Sequence, residues 1–178
     1  TWCRFGTQDA MGMGIAIEKL TWGSWTPHKY KIAVSGCPRN CAEATIKDFG
    51  IIGVDSGWEI HVAGNGGIKV RVTDFLCKVK TDEELFEMVK AYMQFYREDA
   101  YYLERTAHWI ERVGLEYVKE VLFDEEKRKM YAASFDISQK SAQVDPWAKA
   151  IEDGFTKEFS PIVIDPNDSH SFEAKEQI

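Results

Sequence analysis

Apolar positions along this chain change period several times, and each change marks an element. Ala10, Met13, Ile17 and Leu20 recur at helical spacing behind Thr7-Gln8-Asp9, which predicts a first helix capped by Thr7. Gly12 and Gly14 either weaken that helix or let something bulky pack close, and the run from Trp22 to Pro27 ends it. Tyr30 to Ser35 alternates as a strand, and a short helix from Pro38 to about Lys47 should follow. Three more strands are predicted over Gly50 to Val54, Trp58 to Ala63 and Ile68 to Val79. The last two are joined by Gly64-Asn65-Gly66-Gly67, a hairpin signal because Asn-Gly suits the positive φ of a tight turn.

Thr81-Asp82-Glu83-Glu84 is a capping box. It opens a long helix whose apolar stripe is Leu85, Val89, Tyr92, Tyr96, Leu103, Ala107 and Ile110, with Gly114 as the stop. Shorter helices are expected over Leu115 to Leu122 and Glu125 to about Ala133. From Ser138 the pattern decays, and Asp145-Pro146 and Asp165-Pro166 are breakers. The expected architecture is α+β: a small mixed sheet packed with helices, followed by a C-terminal helical segment. Residues 1–137 form the domain, and residues 138–178 form an irregular or partly disordered polar tail.

Composition narrows the function. The chain has 178 residues, enough for one sizeable core. Its formal net charge of −7 argues against general nucleic-acid binding, which needs a basic footprint. Four cysteines without framework spacing do not read as a disulfide scaffold, so a reducing, cytoplasmic setting is expected. No apolar run approaches the roughly 18 residues of a membrane span.

The candidate chemistry lies in Gly36-Cys37-Pro38-Arg39-Asn40-Cys41. Glycine permits a sharp turn and close approach to a bulky group. Proline suits the first position of a helix, whose free N–H groups would favour thiolates on Cys37 and Cys41. Four apart, the two sulfurs would share one helix face, an arrangement a soft metal or cluster uses. The spacing is not the C-x-x-C of a redox disulfide, and no second pair completes a structural zinc site. Cys77 sits in a strand-like run and reads as a small buried residue. None of the four histidines has the i, i+4 spacing of a metal helix, and no G-x-G-x-x-G follows a strand.

The stretch Val34 to Gly53 resembles the second cysteine pair of the sirohaem and [4Fe–4S] nitrite and sulfite reductases. It is most similar to the large subunits of NAD(P)H-dependent assimilatory nitrite reductases. Further matches are Cys3 to Asp9, Trp58 to Gly67, Tyr96 to Ala100 and Glu104 to Trp109, so the resemblance covers roughly residues 1 to 135. That family binds its cluster through C-x-x-x-x-x-C followed by C-x-x-x-C. The resemblance therefore implies Cys3, Cys37 and Cys41 as metal ligands, with Cys41 bridging to the sirohaem iron. The first cysteine would lie six residues before Cys3, ahead of Thr1, which suggests a fragment of a longer polypeptide. Such a fragment, with three thiolates for a Cys₄ site, is expected to hold the cluster poorly or not at all and to be inactive alone.

Other implications follow from the same resemblance. Arg4 and Arg39 are candidates to neutralise sirohaem carboxylates, Asn40 and Asn65 are candidate cofactor contacts, and Lys69 and Arg71 are weaker ones. No catalytic acid can be named from this chain. FAD and NAD(P)H would bind on absent upstream domains. The implied partners are the missing N-terminal part of the polypeptide, the small subunit of nitrite reductase, and nitrite as substrate, reduced to ammonium with six electrons. Three alternatives remain open: a sulfite reductase fragment yielding sulfide, a metal-free structural or interaction domain, and a zinc module using Cys3, Cys37 and Cys41 with a histidine.

Overall fold

The run Phe49–Val54 is buried along all but its last residue, and the rest of the domain is arranged around it. A computed structural model describes residues 3–154. Helix α1 (Ala10–Thr21) precedes strand β1 (Ile32–Ser35); β2 (Phe49–Val54) and β3 (Gly57–Val62) follow. Next come the short strands β4 (Asn65–Gly66) and β5 (Val70–Arg71), then β6 (Asp74–Val79). Helices α2 (Asp82–Asp99), α3 (Thr106–Val113), α4 (Leu115–Phe123) and α5 (Glu125–Ala142) complete the first of two units, which divide between Gln143 and Val144. In the second unit, α6 (Pro146–Glu152) is capped by Asp145, whose carboxylate accepts from the Trp147 N–H at 2.9 Å.

The main sheet has the order β1-β2-β3-β6. β1 and β2 run parallel, with Ile32 beside Phe49, and the remaining pairs are antiparallel. This is the mixed α+β architecture the alternating pattern predicts. Parallel neighbours cannot be joined by a tight hairpin, so the chain from Gly36 to Asp48 must cross over between them. That crossover carries Cys37 and Cys41. β4 and β5 pair only with each other, so the Gly64–Gly67 segment turns a separate two-stranded ribbon instead of joining two strands of the main sheet.

One core binds these elements: Ile51 and Ile60 of the sheet, Leu85, Val89 and Tyr92 of α2, Trp109 of α3 and Leu122 of α4 all belong to it. The capping box at Thr81 forms as the sequence predicts. The helix it opens does not run to Gly114. Ala100 is extended and Leu103 takes φ +65°, so the chain breaks between α2 and α3, leaving Leu103 exposed. Local bonds hold the break. The Leu103 N–H donates to the Pro27 carbonyl at 3.0 Å, and the Tyr96 hydroxyl donates to the Glu104 carbonyl. Arg112 grips the Glu104 carboxylate through two bonds of 2.8 Å and holds its carboxyl below the usual range.

α5 continues past the expected boundary at residue 137. Gln139 explains why: it is buried, accepts from Ser24 Oγ at 2.7 Å and donates to the Trp22 carbonyl. Those partners lie more than a hundred positions away, beyond any local pattern. The rest of the expected tail, from residue 155, lies outside the described residues. Among the described residues, no helix is long and apolar enough to cross a membrane.

Candidate functional site

The cysteines separate into two environments. Cys3, Cys37 and Cys41 line one cleft of about 420 Å³, with Val34, Ser35, Gly36 and Met11 among its walls. Cys37 is buried, Cys3 and Cys41 are exposed, and all are free thiols. Cys77 stands elsewhere, opposite Ile60 on β6, and burial pushes its thiol up to about 11. That is the environment of an inert structural cysteine.

Two glycines bring the Cys3 segment to the crossover. The Gly36 carbonyl accepts from the Thr7 N–H at 2.8 Å, the Gln8 N–H at 3.0 Å and Thr7 Oγ1 at 3.0 Å. Thr7 is thus a tether to the cysteine turn, and Asp9, not Thr7, caps α1 by accepting from the Gly12 N–H at 3.1 Å. A Cβ on Gly36 would lie 2.9 Å from the Gln8 carbonyl oxygen. One on Gly53 of β2 would lie 2.8 Å from Gln8 Cβ and 2.9 Å from the Gly36 carbonyl oxygen. Gly53→Ala should therefore push the Cys3 segment off the sheet, at a cost of about 1–3 kcal/mol. Limited proteolysis within residues 3–8 should accelerate, and an unchanged cleavage rate would refute the tether.

The helix expected from Pro38 to Lys47 does not form. Asn40 and Glu43 both take φ +55°, two tight turns follow Gly36, and only Ala44–Ile46 winds, as a 3₁₀ turn. The cause is Asn40, a residue that tolerates the left-handed region. Its Oδ1 accepts from the Ala44 N–H at 2.7 Å and from Ser35 Oγ at 3.1 Å, while Nδ2 donates to Thr45 Oγ1 at 2.7 Å. These bonds outcompete the helical pattern, as polar side chains beside free backbone groups do. Cys37 and Cys41 therefore reach the cleft from a turn and not from one helix face. Asn40 acts from inside the loop.

The other candidates are dispersed. Arg4 and Arg39 are exposed, with their guanidinium carbons 4.9 and 3.8 Å from the centre of the Phe5 ring. Asn65 does not line the cysteine cleft; its Oδ1 accepts from Arg105 at 2.7 Å and its Nδ2 donates to the Lys69 carbonyl at 2.9 Å. Arg71 is occupied by the Ala63 carbonyl and by Asp74, each at 2.7 Å, and Lys69 is exposed. His28 Nδ1 accepts from the Lys29 N–H, His61 packs edge-on to Phe75, and His108 is exposed. His170 lies outside the described residues. Among the described residues, no three His, Cys, Asp or Glu side chains gather as a single ion requires.

The strongest polar feature was not anticipated. Asp48, at the end of the crossover, is fully buried. It accepts from Arg105 at 2.6 Å, Thr106 Oγ1 at 2.6 Å and the Lys31 N–H at 3.0 Å. Arg105 also reaches Asn65, so one guanidinium joins the crossover, the β4–β5 ribbon and the start of α3. Glu104-Arg105-Thr106 was visible as a family-like motif, but nothing local pairs it with a carboxylate 57 positions earlier.

Soft, unpaired thiols from two separated segments facing one largely apolar cleft fit an iron–sulfur cage, whose irons take one thiolate each, better than one hard ion. The fold is a mixed α+β domain whose crossover and N-terminal segment bring three free cysteines to one cleft. The nitrite and sulphite reductase 4Fe-4S domain family matches residues 1–130, and this chain belongs to that family. It is 56% identical over 151 residues to the nitrite reductase [NAD(P)H] of Bacillus subtilis, covering 85% of this chain and 19% of the relative. The nitrite reductase (NADH) large subunit of Escherichia coli is 44% identical over 127 residues, covering 70% of this chain and 15% of that protein. An assimilatory-type sulfite reductase of Nitratidesulfovibrio vulgaris is 35% identical over 120 residues, covering 67% of this chain and 55% of that one. The chain thus spans about a fifth of the length of the Bacillus relative.

Proposed function

We propose that this chain is the cysteine-bearing part of a cytoplasmic NAD(P)H nitrite reductase, and that Cys3, Cys37 and Cys41 hold three corners of a [4Fe–4S] cluster. The observation that carries the reading is the convergence of those three sulfurs on one cleft from segments more than thirty residues apart. The fourth corner needs a donor from outside the described residues. Cys41 would also hold a sirohaem, and the cluster and sirohaem when bound would supply the single-electron chemistry for reduction of nitrite to ammonium.

The chain's own residues position and shield. Gly36 and Gly53 let the Cys3 segment close against the crossover. Asn40 fixes the turn between Cys37 and Cys41, and Val34 and Met11 line the cleft with apolar surface. Arg4 and Arg39 place positive charge beside the cleft, where sirohaem carboxylates would lie. Asn65 acts more remotely, through Arg105. Nitrite is favoured over sulfite as substrate because the relatives named for nitrite are the more similar ones. The flavin and nicotinamide sites and a small subunit belong to the rest of such an enzyme.

Anaerobic incubation with iron, sulfide and a small thiol as fourth donor tests the site. About four irons per chain and a brown, oxygen-sensitive chromophore are expected. Cys37→Ser should abolish the colour and Cys77→Ser should leave it intact. A colourless product, stoichiometric zinc after expression, or dependence on Cys77 would refute the ligand assignment.

A further inference from the structure

Two arginines without an anionic partner among the described residues stand beside the cysteine cleft of a chain with a formal net charge of −7. Arg4 and Phe5 lie between the lining residues Cys3 and Gly6, and Arg39 lies between Cys37 and Cys41. Four of the other five arginines hold carboxylates: Arg71 holds Asp74, Arg105 holds Asp48, Arg112 holds Glu104 and Arg128 holds Glu87, while Arg97 donates to Ser138 Oγ and lies over the Trp25 ring. Arg4 and Arg39 have no such partner among the described residues. Both lie against the same ring, at 4.9 and 3.8 Å from its centre. Phe5 itself is 43% exposed, too open to be held there by core packing.

Two guanidiniums on one ring repel each other, and the attraction of an exposed ring for a cation is modest. The arrangement is completed by an anion that can engage both forks at once, and planar guanidiniums read carboxylates in pairs. We propose that Phe5 is a positioning residue that gathers Arg4 and Arg39 into a paired receptor for a tetrapyrrole polycarboxylate at the mouth of the cysteine cleft. The proposal deepens the functional reading above and rests on it. If Phe5 were only a surface ring shielded by two nearby side chains, its replacement would leave anion binding untouched.

The test needs neither iron nor turnover. The 178-residue chain is titrated with uroporphyrin, a metal-free tetrapyrrole polycarboxylate, and binding is read from porphyrin fluorescence. Saturable binding that weakens with salt is expected for the wild type. Phe5→Leu, which keeps bulk and loses the π face, should weaken it about tenfold, and Phe5→Tyr should stay within about twofold of wild type. In ligand-free protein, the Nε–H resonances of Arg4 and Arg39 should carry a ring-current shift that Phe5→Leu removes and Phe5→Tyr keeps. No saturable binding by the wild type, or equal binding by Phe5→Leu, overturns the proposal. Neither variant touches a thiol, so the iron and sulfide assay reports separately. A chain that turns brown but ignores uroporphyrin loses only this proposal, and one that binds uroporphyrin through Phe5 but stays colourless loses only the cluster.

Discussion

Asp48→Ala is expected to cost about 3–5 kcal/mol, read as a lowered urea midpoint with an unchanged slope. The carboxylate is fully buried and collects three donors, one of them the guanidinium of Arg105, itself largely buried. Removing it leaves that cation without a counter-charge and Thr106 without its acceptor, which is the expensive way to break a buried pair. Replacing both partners by apolar residues should recover part of the loss, because the desolvation cost of the ions disappears with them. A double-mutant cycle measures that coupling. If Asp48→Ala costs less than about 1 kcal/mol, the pair does not pin the crossover to α3.

Trp109→Ala should cost about 3–5 kcal/mol as well, by a different route. The indole is fully buried, with ring centres of Tyr92, Phe95 and Tyr96 at 5.7, 5.2 and 5.4 Å. Truncation opens a cavity that three large rings cannot collapse into, and it strips the Asp99 carboxylate of its indole donor at 2.6 Å. Trp109→Phe should lose less, since it keeps most of the packing. Chemical denaturation read by near-ultraviolet circular dichroism distinguishes the two. Equal losses would mean that the indole hydrogen bond, not volume, carries the effect.

Periodicity alone made β1, β2, β3 and the start of α2 legible, because alternation and a capping box are local signals. The α2–α3 junction was not, since Tyr92, Tyr96, Ala107 and Ile110 keep near-helical phase across a break held by Pro27, Arg112 and Glu104. The cysteine turn failed similarly. Pro38 reads as a helix start, and only the reach of Asn40 to Ser35, Ala44 and Thr45 shows why the chain coils back. Of the candidate site, the Cys37–Cys41 pair was legible from spacing, while Cys3 and the flanking arginines were named from the family resemblance. Their meeting in one cleft, and the Phe5 ring shared by the arginines, depend on how Gln8 lies against Gly53, which no spacing encodes. Asp48 was invisible because a buried acid at the end of a loop looks, in a string of letters, like any solvated one.

The Asn40 amide, bonded to Ser35, Ala44 and Thr45, pins the crossover to the end of β1. A small zinc finger collapses when a chelator strips it, because its metal substitutes for a core. This domain has its own interior. A metal centre held by Cys3, Cys37 and Cys41 would therefore add little to the folding of that interior, and stripping it should leave the core standing.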